Sequence, residues 1–175
     1  MKWIGISGGW RKTNKEVEQI VRREVSKIMR RGDGIVSGGA LGVDSIALDE
    51  ALKNNPNASR IKILLPTYLK NYAAHYRRRA NEGVITRDQA EELIKQLIGL
   101  RDINTNALVE NPIEIEEITK EHYYDRNLEV VKKSDSLLAF HIRSEKSEGL
   151  GTQDTIEKAR LRGIPVKVVE FDLTK

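Results

Sequence analysis

Three short stretches of this chain bring together the residue types that hold an anion. Each is a glycine-rich turn between a β-forming run and a helical pattern. The most developed is Ser37-Gly38-Gly39-Ala40-Leu41-Gly42-Val43-Asp44, preceded by Gly34-Ile35-Val36 and followed by Ile46, Ala47 and Ala51 at helical spacing. The others are Ser7-Gly8-Gly9, with Trp10 and Arg11 directly after it, and Gly149-Leu150-Gly151-Thr152. At a strand-to-helix turn the first helical N–H groups lack intrahelical partners and point outward. The helix dipole favours negative charge there, and glycine lets a phosphate approach the backbone closely. The chemistry this suggests is recognition of a phosphorylated small molecule, in first place a nucleotide. The plainer reading of each turn is geometry alone, since many strand-to-helix turns use glycine only to turn tightly.

The side chains around these turns would complete such a site. Arg11 can grip an anion bidentately. Thr152 either caps the last helix or offers its hydroxyl to a phosphate. Asp44 sits in a first helical turn, where the dipole alone favours it; its other reading is as an acceptor for ribose hydroxyls. Trp10 and Tyr72 offer rings on which a base could stack. Glu148 and Asp154 flank the third turn and are the acid/base candidates. At Gly39 a branched side chain is expected to block the backbone from a phosphate.

Other chemistry lacks its residues. There is no cysteine, so disulfide and thiolate chemistry are out. His75, His122 and His141 lack a metal-binding spacing, and no metal site is expected. Neither G-x-G-x-x-G, G-x-x-x-x-G-K-[ST] nor G-x-S-x-G occurs. No cofactor is identified beyond the nucleotide or phosphate ligand itself.

The elements that must position these turns follow from hydrophobic period and punctuation. Trp3 to Ser7 reads as a first strand. A helix follows with Val17, Ile20, Val21, Val25, Ile28 and Met29 on one face, a capping box at Thr13 and Glu16, and Gly32 after its end. A second strand and helix run from Gly34 to about Asn54, and Ile61 to Leu65 is a third strand closed by Pro66. From about Leu69 to Ile118 the rhythm breaks into a largely helical insertion. It holds helices at Tyr72 to about Glu82 and Thr86 to about Leu100, and an ambiguous stretch at Leu108 to Ile118. A helix at Lys120 to Lys133, a strand at Ser136 to Phe140, a helix opening at Gly149 and a strand at Val166 to Glu170 complete the chain. This β-α-β-α-β pattern predicts an α/β fold: a doubly wound parallel sheet of about five strands with helices on both faces, in one domain over 1–175 with the insertion at about 69–118. Strand order 3-2-1-4-5 would bring all three glycine turns to one crevice, beside the point where the order reverses.

Composition sets outer bounds. With 175 residues and 39% hydrophobic residues the chain can bury a real core, and a net charge of +4 is too small for a dedicated nucleic-acid binder. No apolar run approaches a membrane span and no signal peptide is visible, so a cytoplasmic protein without membrane partners is expected. Self-association stays open. Arg77, Arg78 and Arg79 read either as a solvated helix face or as a phosphate clamp or nucleic-acid patch. The many acids that follow them argue against a high-affinity nucleic-acid site.

The motif Ser37-Gly38-Gly39-Ala40-Leu41-Gly42-Val43-Asp44, with Ala47 and Ala51-Leu52, resembles the Ser-Gly-x-Ala-x-Gly-[IV]-Asp motif of the DNA-processing DprA/Smf family. The run from Arg126-Asn127 through Ser134-Asp135-Ser136-Leu137-Leu138 to Gly163-Ile164-Pro165-Val166 resembles that family's second block. Both belong to the wider SLOG superfamily, which includes the Lonely Guy-type phosphoribohydrolases. The resemblance covers about two thirds of the chain and leaves out Leu69 to Ile118. It implies a Rossmann-like, nucleotide-binding fold and a role as sensor or carrier of a nucleotide. The alternatives it raises are a nucleotide N-glycosidase and a single-stranded DNA binder. Thr155 stands where the phosphoribohydrolases carry their glutamate, so the resemblance does not carry their catalytic residue over.

Overall fold

Alternation along the strands decides which side chains enter which layer. The computed structural model describes residues 1–11 and 13–174. Among them, six strands and six helices follow in order: β1 (Trp3–Gly8), α1 (Lys15–Arg30), β2 (Gly34–Gly38), α2 (Val43–Asn54), β3 (Ile61–Leu64), α3 (Leu69–Asn81), α4 (Arg87–Ile103), β4 (Leu108–Val109), α5 (Lys120–Lys132), β5 (Ser136–Arg143), α6 (Leu150–Leu161) and β6 (Val166–Asp172). The strands form one parallel sheet of order β4-β3-β2-β1-β5-β6. No helix among the described residues is long and apolar enough to cross a membrane.

Ile4 and Ile6 of β1, Ile35 of β2, Ile61 and Ile63 of β3, and Leu138 and Phe140 of β5 turn towards α1, α2, α3 and α4. One residue out of phase, Leu137 and Ala139 pack with Val131 of α5 and Ile156 and Ala159 of α6. The expected fold class therefore holds, a Rossmann-like sheet covered on both faces, with one addition. Leu108–Val109 pairs with Ile63 and Leu64 as a sixth, edge strand, inside the stretch read as a helical insertion. Helices α3 and α4 thus form the crossover between β3 and β4, and Asn111-Pro112 follows the strand, where proline cannot donate to a ladder.

Local signals locate most helix ends. Thr86 and Gln89 form the capping box of α4. The box expected at Thr13 and Glu16 is replaced by Asn14, whose Oδ1 accepts the Val17 N–H at 2.9 Å. Asparagine one residue later offers the better-placed acceptor. The five-strand order is retained, with β4 added outside β3, so the reversal of winding falls between β1 and β5.

Gly39 does not face open space. A Cβ there would lie 2.5 Å from Leu65 Cδ2 and 3.5 Å from Ile63 and Leu97. The steric block expected of a larger side chain thus falls on the core and not on a ligand. Gly39→Val should lower the urea-unfolding free energy by about 1–3 kcal/mol, the usual cost of overpacking. An unchanged unfolding midpoint would show that the turn relaxes freely.

Candidate functional site

β2, β3 and β4 extend the sheet to one side of β1, and β5 and β6 extend it to the other. The connections therefore leave in opposite directions, and a crevice opens beyond the strand C-termini. A cavity of about 680 Å³ occupies it, within the range of small-molecule sites. Its walls are the first turn, the start of the second turn, His75, Tyr76 and Arg79 of α3, the inner face of α5, and the third turn with the first residues of α6.

Of the residues expected at the site, Ser7, Gly8, Gly9, Trp10, Gly38, Asp44, Glu148, Gly149, Gly151 and Thr152 line this cavity. Five others do not. Arg11 turns away: its Nη1 donates to the Val84 carbonyl at 2.8 Å, and its guanidinium lies 5.0 Å from the Trp10 ring centroid. Ser37 is fully buried behind Asp44. Gly39 faces the core. Gly42, at φ 93°, passes beneath the first turn, where a Cβ would meet the Gly9 carbonyl oxygen at 2.5 Å. Asp154 is held in the seam between α5 and α6, bonded to Lys158 at 2.6 Å and Asn127 at 3.3 Å. Tyr72 is 1% exposed and offers no open face to a base; its hydroxyl donates to the Gly39 carbonyl at 2.9 Å.

The three turns spend their amides differently. In the second turn, Ala40 N–H goes to Asp44 Oδ2 (3.3 Å), Leu41 N–H to the Tyr76 hydroxyl (3.3 Å) and Val43 N–H to the Gly9 carbonyl (3.1 Å). Arg11 N–H closes the contact between the turns on the Leu41 carbonyl at 3.3 Å. These groups hold the first two turns together. At α6, left-handed Gly149 caps the helix with no side-chain bond, and no acid stands in the first turn. The first bonded amide is Gln153, on the Gly149 carbonyl at 3.0 Å. Among the described residues the amides of Leu150, Gly151 and Thr152 have no acceptor. The Thr152 hydroxyl, on a residue 3% exposed and lining the cavity, likewise has no partner among them. Thr155, at the position of interest for ribosyl chemistry, donates instead to the Gly151 carbonyl at 3.0 Å.

Sequence reading alone did not place Arg126 at the centre of the cavity. It is 8% exposed, lines the cavity, and donates to Asn127 Oδ1 at 3.3 Å and to the Leu64 carbonyl at 3.5 Å. Gly38 makes room for it, because a Cβ there would fall on the guanidinium. The Tyr123 ring lies 5.4 Å from it. Tyr76, Tyr123 and His75 join Trp10 as an aromatic wall, with Trp10 and Tyr76 edge to face at 6.5 Å. Burial, reinforced by Arg79 and Arg78, pushes His75 down to about 4, so its ring is neutral at neutral pH. The signal for Arg126 is in the chain: it stands at helical spacing between Tyr123 and Val130, a charge on an inward stripe.

Asp44 is the buried acid of the cavity. Burial lifts it from the ordinary 3.8 to about 6, opposed by Arg126, the Ser37 hydroxyl and the Ala40 amide. A carboxyl whose folded value is raised binds its proton more tightly in the folded protein. Stability therefore falls as pH rises from about 4 to about 6 and is level above that. The loss from this group is at most about 3 kcal/mol. Chemical denaturation across that window should show the fall in the wild type and its absence in Asp44→Asn; parallel profiles would refute the assignment.

The comparisons with known proteins agree with this architecture. DNA processing protein A from Helicobacter pylori matches with a TM-score of 0.64 and 23% identity over 95% of this chain and 64% of that one. Its counterpart from Streptococcus pneumoniae matches with a TM-score of 0.61 and 20% identity over 95% of this chain and 50% of that one. The molybdenum cofactor binding protein of Rippkaea orientalis matches with a TM-score of 0.56 and 18% identity over 98% and 77%. At these identities the likeness is one of fold, and this chain spans about two thirds and one half of the two DNA processing proteins. Comparison with curated proteins finds no match. The model of the DNA recombination-mediator protein A family matches residues 2–174, nearly the whole sequence, and the chain belongs to that family.

Proposed function

We propose that the cavity binds a nucleotide or nucleotide derivative and that the protein acts as its sensor or carrier. The phosphate lies against the Arg126 guanidinium, the Thr152 hydroxyl and the open amides of α6. The base lies against the wall of Trp10, Tyr76 and Tyr123. The observation that carries this reading is the set of donors without acceptors, the Thr152 hydroxyl and the amides of Leu150, Gly151 and Thr152, around a cavity that also holds a buried arginine. These donors open onto the cavity, and an anion at a helix N-terminus supplies acceptors that they otherwise find only in water. The molybdenum cofactor binding relative supports small-ligand carriage on this fold.

A second reading is single-stranded DNA binding, favoured by the family and by the Helicobacter pylori relative, whose structure describes a single-stranded DNA binding mode. On that reading one nucleotide of a strand occupies the same cavity. Of the three neighbouring arginines, Arg77 and Arg78 lie off the cavity, Arg77 paired with Glu91 at 2.8 Å and Arg78 donating to the Glu116 carbonyl at 3.3 Å, whereas Arg79, paired with Glu82 at 3.0 Å, lines it. The strand would meet Arg79, Lys120 and Lys146 on the cavity wall. An N-glycosidase reading rests on Glu148, the exposed carboxylate on the cavity wall.

Thr152→Val should weaken the binding of AMP, GMP, CMP or UMP about tenfold by calorimetry, the worth of one hydrogen bond to a charged group. Its thermal stability should stay unchanged or rise slightly, because the lost hydroxyl has no partner in the free protein. Equal affinities for wild type and variant would remove Thr152 from the site. Multiple-turnover release of free base, lost in Glu148→Gln, would favour the N-glycosidase. Oligonucleotide binding that weakens steeply with salt, and in Arg126→Gln, would favour the strand.

A further inference from the structure

Two opposite charges sit inside the cavity with little water to screen them. Arg126 is 8% exposed and Asp44 7% exposed, and both line it. Among the described residues Arg126 has no carboxylate at ion-pair distance; the fields of Tyr72, Asp44, Tyr123 and Tyr76 act on it, and of these Asp44 is the carboxylate. With Asp44 ionised this pair is neutral in sum, so an entering phosphate adds its whole charge to a poorly screened space. With Asp44 protonated the pair carries one positive charge. The local charge that meets a phosphate at Arg126 therefore depends on this carboxyl.

The hydrogen bonds around Asp44 suit both states. Ser37 Oγ lies 2.9 Å from Asp44 Oδ1 and 3.2 Å from the Ile6 carbonyl oxygen. A hydroxyl has one hydrogen and cannot donate to both. When Asp44 is ionised, Ser37 donates to it and the Ile6 contact lacks a proton. When Asp44 carries a proton on Oδ1, it donates to Ser37 Oγ, and Ser37 donates to the Ile6 carbonyl. Oδ2 keeps the Ala40 amide throughout. Both states keep a bond between Ser37 and Asp44 without moving a heavy atom, and the charge-assisted one to the ionised carboxylate is the stronger. The groups facing Asp44 are Arg126 from α5, Tyr76 from α3, Ser37 from β2, the Ala40 amide from its own turn and the Ile6 carbonyl from β1. From α6 the cavity receives the uncharged Thr152 and Thr155; the remaining charges on its wall are Arg79, Lys120, Lys146 and Glu148.

We propose that Asp44 is a specificity-determining residue that selects phosphate by charge. Ionised, it admits a phosphodiester monoanion and disfavours a terminal phosphate dianion; a terminal phosphate enters together with a proton taken up at Asp44. This rests on the reading of the cavity as a phosphate site. The class of ligand favoured at neutral pH is then a nucleotide whose phosphate is esterified twice, either inside a strand or in a small nucleotide diester.

Calorimetry on the full chain tests this with adenosine 5′-monophosphate and its methyl diester. A terminal phosphate is a dianion well above about pH 6, whereas the diester stays a monoanion. At about pH 8 the diester should bind about tenfold more tightly, and the preference should vanish at about pH 5.5, where both ligands are monoanions and Asp44 is protonated. Titrations in two buffers of different ionisation enthalpy should show proton uptake with the monoester at about pH 8 and none with the diester. Asp44→Asn should lose both the preference and the uptake. Uptake that persists in Asp44→Asn places the proton on the ligand and overturns the proposal. Ser37→Ala removes a bond that favours the ionised carboxyl, so the pH at which the preference appears should move upward. An unmoved midpoint also overturns the proposal, and this variant decides the matter if Asp44→Asn fails to fold. Equal binding of the two ligands without proton uptake overturns the role of Asp44 but leaves the phosphate site standing. Failure of both ligands to bind at either pH overturns the phosphate reading and this proposal with it.

Discussion

The buried Arg126 guanidinium is the constraint around which the rest of the site is built. Taking such a charge out of water costs several kcal/mol unless the surroundings replace the lost hydration. Replacement comes from several elements at once: the Leu64 carbonyl at the end of β3, the ring of Tyr123 on α5, and the field of Asp44 at the start of α2. Each has a structural consequence. Gly38 must lack a side chain because the guanidinium lies against it. Asp44 must face the cavity, where burial raises its pKa and the Ser37 hydroxyl must support it. The arginine stays charged, because burial and neighbours do not bring a guanidinium into the physiological range. What its neighbours leave uncompensated is directed at the cavity.

The two Ser-Gly-Gly turns and the Gly-Leu-Gly-Thr turn look like variants of one device, and the fold uses them in opposite ways. The first two lock onto each other through Val43 on Gly9 and Arg11 on Leu41. Helix α3 locks them further, since Tyr72 and Tyr76 take a carbonyl and an amide of the second turn. Arg11 extends the lock to the loop after α3 through the Val84 carbonyl. The segment from α3 to β4 is thus a brace for the glycine turns as well as an extension of the sheet. At α6, by contrast, Gly149 ends the turn in a left-handed conformation, no side chain caps the helix, and the first amides stay open on the crevice. On the proposed reading, a rigid pair of turns facing one open helix end would serve as a preorganised anion site.

The sheet and its winding could be read from the sequence because they are local. Continuous apolar runs such as Leu137 to Phe140, the 3.6-residue stripe of α1 and the punctuation at Gly32, Pro66 and Gly163 each decide their element within a few residues. Once the βα rhythm is set, handedness and strand order leave few arrangements, so the three turns could be brought to one crevice in advance. Two local readings missed for local reasons. Asn14 competes with Thr13 as a cap at equal cost, and a two-residue strand such as Leu108–Val109 is too short to show a period.

What the sequence by itself determined is therefore the fold, the crevice and most of its lining, from Ser7 and Gly8 to Gly151 and Thr152. Tertiary structure decided which amides stay open and which charge sits inside. Gly42 and Gly151 are the same residue type beside similar turns. One is pinned under the Gly9 carbonyl and the other faces open space, because only packing brings the first turn against the second. Arg11 and Arg126 exchange roles for the same reason. Arg11 lies beside the first glycine turn in sequence but is drawn off by the Val84 carbonyl, while Arg126, far away in the chain, is carried in by α5. Hydrogen-bond partners and charge compensation are set by distances between elements, and spacing along a chain does not encode those distances.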